Sequence, residues 1–280
     1  MSSCAKAIAA QKSSLEVWGV DQELMGATQL VLDRILATNP GQDAMTAIAA
    51  LRDEAVAARA DAARDKDFGK LFLMSAKQDE LDALHKLLDT EGTAEARTMY
   101  DALLASRWIY QGQMSGAPYD SNVTRAQLMK DAFFGQLSAA AAKDKAMPKV
   151  LVKLGAWHLY RGMNPLHSSE LGNLIAEAAA AHDVKAVNVL VLGVTGKQLA
   201  IAAPGVVAPT ALDLREQGGP YAFLTPFFAA QLAKSWTLFD LRPLRAEFDS
   251  FGKLDPEMER TIFGYDFLVL IADPRPEHPL

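Results

Sequence analysis

Trp157-His158-Leu-Tyr160-Arg161 places an imidazole, a phenol and a guanidinium within four residues of one another, just after the apolar run Val150-Leu-Val-Lys-Leu154 and Gly155. Imidazole is the side chain that exchanges protons near neutral pH, and a neighbouring carboxylate that orients it supports general acid–base work. Carboxylates recur in comparable positions. Asp21 and Glu23 follow Leu15-Glu-Val-Trp-Gly-Val20, Asp240 and Arg242 follow Trp236-Thr-Leu-Phe239, and Asp273 follows Phe267-Leu-Val-Leu-Ile271. In an open parallel sheet ligands collect beyond the carboxyl ends of the strands, so polar groups there carry more meaning than elsewhere. If these runs are parallel strands, the groups share one rim. His158, Glu23 and Asp21 are then the candidate catalytic residues, and Arg161 is an anion or oxyanion contact. Each has a plainer reading: His158 as a hydrogen-bonded histidine at the edge of a core, Asp21 and Glu23 as helix caps, and Asp240 with Arg242 as a local ion pair, the reading favoured for that pair.

The elements that must position these groups fall into two textures. From about residue 22 to 146 the pattern is helical. Leu24, Ala27, Val31 and Ile35 share a stripe that ends at Pro40-Gly41, and 43–64 is alanine-rich. Residues 68–89 continue in helical register, and Thr93 caps a helix burying Tyr100, Leu103, Leu104 and Trp108. A loop at 111–119 precedes a further helix carrying Arg125, Leu128, Met129 and Phe133. After Pro148 strand-like and helical runs alternate: 149–154, a helix opening at Ser168-Ser169-Glu170, the apolar run 186–192, a Pro/Gly-rich surface excursion at 204–220, a helix from Thr225-Pro226, the run 236–239, a helix from Asp255-Pro256 and the run 267–271. The fold class is α/β: a parallel or mixed sheet with flanking helices and a large inserted helical subdomain. Residues 1–21 supply the first strand, 22–146 a helical cap or side bundle, and 147–280 the sheet core.

Composition narrows the chemistry. With 280 residues the chain can bury a sizeable core, and a net charge of −6 with no basic tract argues against a nucleic-acid surface. The single cysteine, Cys4, excludes an intramolecular disulfide and a cysteine zinc cluster. No apolar stretch is long enough to span a bilayer, and no signal-peptide pattern opens the sequence. As written the chain reads as soluble and cytoplasmic, or periplasmic if an upstream leader has been removed; its oligomeric state is open. No G-x-S-x-G or H-E-x-x-H occurs, the five histidines lack ligand spacing, and Gly193-Val-Thr-Gly-Lys197 is too short for a phosphate loop. No metal is expected.

Val17-Trp-Gly-Val-Asp21-Gln-Glu23, Arg125-Ala-Gln-Leu-Met129 and Val150-Leu-Val-Lys-Leu-Gly-Ala-Trp-His158, in this order, resemble the erythromycin esterase-like superfamily, which is related to the ChaN-like haem-binding lipoproteins. The closing Trp236–Leu244 and Tyr265–Leu270 runs fit the same pattern. The resemblance implies metal-independent hydrolysis of an ester-type bond in a small molecule, with histidine and glutamate activating water. His158 matches the late histidine of that site, and Arg125 the arginine four residues before a methionine. The family's glutamate-then-histidine motif has no counterpart and belongs upstream of residue 15. Gly155-Ala156 stands where a His-Asn is often found, and Ala132 where an asparagine is usual. Hydrolysis with Arg125, Arg161 and Tyr160 as substrate contacts is one expectation, needing no cofactor. A haem- or small-ligand-binding protein using His158 or Tyr160 is a second, and a purely structural or regulatory role a third.

Overall fold

The computed structural model describes residues 15–116 and 118–274. Among them the chain is mixed α/β, with a small mixed sheet and a large helical region. The described residues divide into two compact units, one of residues 22–125 and 200–208 and one of 15–21, 126–199 and 209–274.

The helical unit is built from α1 (Thr28–Leu36), α2 (Gln42–Asp65), the short α3 (Phe72–Ser75), α4 (Gln78–Glu91), α5 (Ala94–Met114) and the first turns of α6 (Pro118–Asp144). Leu32, Ile35, Ile48, Leu51, Leu84, Leu88, Tyr100 and Leu103 form its core. The start of α2 shows why the chain needs a glycine there. Glu91 Oε2 accepts from the backbone N–H groups of Asp43 (3.2 Å) and Ala44 (3.1 Å), and a Cβ on Gly41 would fall 2.3 Å from that oxygen. A carboxylate distant in sequence thus does the work of a cap. Thr93 caps α5 as expected, accepting from Ala96 N at 3.0 Å. The single helix expected over 68–89 is broken: Asp67 turns its side chain back to Gly69 N (2.8 Å), and Arg107 donates to Leu73 O and Ala76 O, both at 2.8 Å, which fastens the end of α3. Trp108 is half-exposed instead of buried.

In the α/β unit a three-stranded sheet runs β1 (Val189–Gly193), β5 (Phe267–Ile271) and β4 (Trp236–Asp240) in that spatial order. β1 and β5 are parallel, whereas β4 is antiparallel to β5, pairing Trp236 with Ile271 and Asp240 with Phe267. The inward face carries Leu190, Leu192, Leu268, Leu270 and Phe239, packed with Tyr160, Leu224, Leu241 and Tyr265. Between β1 and β4 in sequence come β2 (Thr195–Ala203) and β3 (Val206–Asp213), a two-stranded hairpin whose turn at Pro204-Gly205, with Gly205 at φ +73°, lies in the 200–208 stretch that counts with the helical unit. The region expected as an irregular excursion is therefore partly strand. Helices α7 (Leu171–Ala181), α8 (Thr225–Ala230), α9 (Arg242–Ala246) and α10 (Pro256–Gly264) complete this unit, α10 capped by Asp255 on Glu257 N at 2.8 Å. Thr225 does not cap α8; its hydroxyl donates to Ala222 O instead.

Two expected strands are corrected. Residues 15–20 and 149–154 have no regular secondary structure. An apolar run becomes a strand only when a neighbouring backbone takes up its N–H and C=O groups. Leu151 is 96% exposed, and Trp18 is held instead by an edge-on contact with Phe133 of α6, ring centroids 6.3 Å apart.

Burial pushes the phenols of Tyr100, Tyr160 and Tyr265 above their ordinary range. A folded-state value raised above the unfolded one gives stability that is complete below about pH 10 and lost as pH climbs through the folded values. In an alkaline titration followed by tyrosinate absorbance and circular dichroism, these three of the six tyrosines are expected to ionise together with unfolding. Their ionisation in a still-folded protein would contradict that burial.

Candidate active site

The segment around His158 is fastened to the amino-terminal rim of β1 and β5. Asn188 and Asp266 immediately precede those strands, and both reach it. Asn188 Nδ2 donates to Leu159 O at 2.6 Å, and Arg161 clamps Asp266 with two bonds of 2.6 Å while donating to Ala186 O at 2.9 Å. Asp266 also accepts from Asn188 N at 2.9 Å and from Arg245, whose two terminal nitrogens lie 3.3 Å away. The Tyr265 hydroxyl donates to Ala156 O, and the Tyr160 and Tyr265 rings meet edge to face at 4.9 Å. A carboxylate buried at the start of a strand requires such partners, because a lone buried charge is strongly disfavoured.

His158 lies on a short 3-10 turn, Ala156–Leu159, and its Nδ1 is 3.1 Å from Glu170 Oε2. Glu170, fully buried, is the residue before α7, yet its side chain does not cap that helix. It bends into the preceding loop, where Oε1 accepts from Ser168 Oγ at 2.7 Å and from Asn164 Nδ2 at 3.3 Å. Asn164 is fixed in turn, donating to Trp157 O at 3.1 Å and accepting from Leu166 N (2.9 Å) and Ser168 N (3.1 Å). The loop 155–170 thus carries its own scaffold for one carboxylate and one imidazole. An ionised carboxylate only accepts, so the imidazole proton facing it belongs on Nδ1, which leaves the Nε2 lone pair available. Nε2 has no hydrogen-bond partner among the described residues and is not one of the buried unpartnered atoms, and the side chain as a whole is 14% exposed. A base oriented by a buried carboxylate is the arrangement that water activation requires.

Close packing positions α7 behind this loop. A Cβ on Gly172 would lie 2.3–2.5 Å from the backbone C, O and Cα atoms of Leu159. Gly→Ala inside a helix ordinarily stabilises by about 1 kcal/mol, but here backbone blocks backbone. Gly172→Ala is expected instead to destabilise by about 1–3 kcal/mol and to push Glu170 away from His158, visible as a lower urea midpoint. An unchanged or raised midpoint would contradict the packing.

The other expected site residues find different settings. Tyr160 is 4% exposed and stands against Thr261, so its phenol faces the core and offers no open ligand position. Arg161 is held by Asp266. Asp21 is an exposed residue at the end of the irregular 15–20 segment, in the α/β unit. Glu23 belongs to the helical unit, where its carboxylate accepts from Ser106 Oγ and its carbonyl from the Tyr110 hydroxyl, both at 2.8 Å. Arg125 is half-buried on α6 and also counts with the helical unit. The expected common rim is corrected by the sheet register. Since β4 runs antiparallel, Asp240 ends beside the start of β5, whereas Asp273 follows the opposite end. Asp240 and Arg242 form the local pair favoured from sequence, at 2.7 Å, and that guanidinium lowers the Asp240 pKa to about 2. The sequence reading missed Glu170, Asn164 and Ser168; the available signal was a cluster of hydrogen-bonding side chains shortly after the histidine.

Among the described residues no group of three or more His, Cys, Asp or Glu side chains could hold a metal ion, and no helix is long and apolar enough to cross a membrane. No protein-family profile matches the chain, and no curated protein does. A solved structure does: a histidine-to-asparagine mutant of the erythromycin esterase EreC in its open conformation. The TM-score is 0.50 at 12% identity, covering 96% of this chain and 71% of that one. The fold is therefore erythromycin esterase-like, and at this identity the likeness speaks to fold alone.

Proposed function

We propose that this chain is an esterase-like hydrolase domain that cleaves an ester-type bond of a small molecule without a metal, with His158 as general acid–base and Glu170 as its orienting carboxylate. The observation that carries this reading is the buried Glu170 carboxylate, anchored by Ser168 and Asn164 and directed at His158 Nδ1. Nε2 would take a proton from water as the hydroxide oxygen attacks the ester carbonyl. The imidazolium, steadied by Glu170, would then return that proton to the leaving alkoxide as the tetrahedral intermediate collapses. Arg161 and Tyr160 are assigned to positioning the loop, because the partners of both lie inside the fold. The resemblance of the Arg125 and Asp21–Glu23 motifs, together with the likeness in fold to a protein named as an esterase, supports the same lineage.

The test is turnover of a panel of p-nitrophenyl esters and one macrocyclic lactone by the purified protein, from pH 5 to 9. Hydrolysis above the buffer rate that disappears in His158→Ala supports the proposal. No turnover of any substrate, or turnover indifferent to His158, overturns it.

A further inference from the structure

A second feature lies at the other end of the sheet from His158. Beyond the carboxyl ends of β1 and β5 is an open cleft of about 700 Å³, bordered by the residues around α8 and by Asp273, which follows β5. Parallel strands commonly present their ligands at this end. Phe228 and Leu232 give the cleft an apolar wall, with Leu232 62% exposed.

Two cationic side chains line the same space. Lys234 and Arg215 make no ion pair among the described residues; Arg215 donates instead to Gln231 Oε1 at 3.2 Å. That bond ties Arg215 to the cleft wall, while Gln231 Nε2 is buried behind it and faces away from the open space. Asp273 is the acidic side chain in the lining, so the two cations leave a surplus of one positive charge.

From this combination we infer that the cleft binds a small organic monoanion, a carboxylate head carried on an apolar body. The head would pair with Arg215 and Lys234, while the tail would cover Phe228 and Leu232. A single negative charge matches the surplus, whereas a dianionic phosphate ester would leave one charge unanswered beside Asp273. The site is separate from the His158–Glu170 pair, so the inference does not depend on the proposed hydrolysis.

Calorimetric titration of the whole protein with octanoate, octan-1-ol and inorganic phosphate tests it. Saturable octanoate binding is expected, at least about tenfold tighter than octan-1-ol and tighter than phosphate. The double variant Arg215→Gln/Lys234→Gln, both at exposed positions, is expected to weaken octanoate about tenfold or more with an unchanged melting temperature. Octanoate binding in His158→Ala is expected to match the native protein. Absence of saturable octanoate binding overturns the inference. So does equal affinity for octan-1-ol, tighter binding of phosphate, indifference to the double variant, or loss of binding in His158→Ala.

Discussion

Replacing His158 by alanine is expected to lower kcat/KM for the best ester substrate by about 10²–10⁴-fold, the usual contribution of a positioned general acid–base group. The loss should fall chiefly on kcat, because Nε2 acts on the reacting water and not on substrate affinity. The fold should survive. Glu170 keeps its bonds from Ser168 and Asn164 in the variant, and the loop keeps its attachments at Leu159, Arg161 and Ala156. A circular dichroism melt separates loss of chemistry from loss of structure. If the variant melts like the native protein and still turns over ester at the native rate, the imidazole has no part in the reaction.

Asp266→Asn carries the largest expected effect on stability, about 3 kcal/mol. The carboxylate faces two guanidiniums and a backbone N–H, and it is only 6% exposed. A neutral amide meets Arg161 with one acceptor in place of two and turns an N–H towards another donor. Both arginines remain about a quarter exposed, so solvent relieves part of the unpaired charge and the loss stays at the lower end of the range for buried pairs. Since Arg161 adjoins the His158 turn, the variant should also lose activity in proportion to local loosening, measurable as faster amide exchange over 156–164. A urea midpoint within error of the native one would show that this cluster is not what holds the loop to the sheet.

Much of the architecture was legible because particular residues permit little else. The alanine-rich run after Gly41, the Thr93 and Asp255 caps and the apolar runs at 236–240 and 267–271 give local instructions that tertiary contacts reinforce. The strand direction was not legible. Nothing in Trp236–Asp240 says whether it runs with or against its neighbour, and that choice moves Asp240 from one rim to the other. Residues 15–20 and 149–154 have strand-like composition, but composition does not supply a pairing partner. The hairpin at 195–213 was hidden by its Gly, Ala and Pro content, which reads as loop.

The candidate site divides in the same way. His158 stood out by residue type and position. Glu170 did not, because a glutamate at a helix start is equally well explained by the helix dipole. Only the backward bend of its side chain, and the spacing that brings Ser168 and Asn164 to the same carboxylate, distinguish the two roles.

The most direct measurement is ester turnover by Glu170→Gln beside the native protein, with both melts recorded. The amide oxygen can still accept from Ser168 and Asn164, so the loop is expected to hold. Its NH2 would face His158 Nδ1, driving the imidazole proton to Nε2 and removing the lone pair that activates water. A fall in kcat of about 10²-fold or more with a native-like melt is the expected result, by analogy with neutralising the carboxylate of a catalytic triad. Native turnover in a folded Glu170→Gln protein would contradict the central claim that this buried carboxylate makes His158 a base.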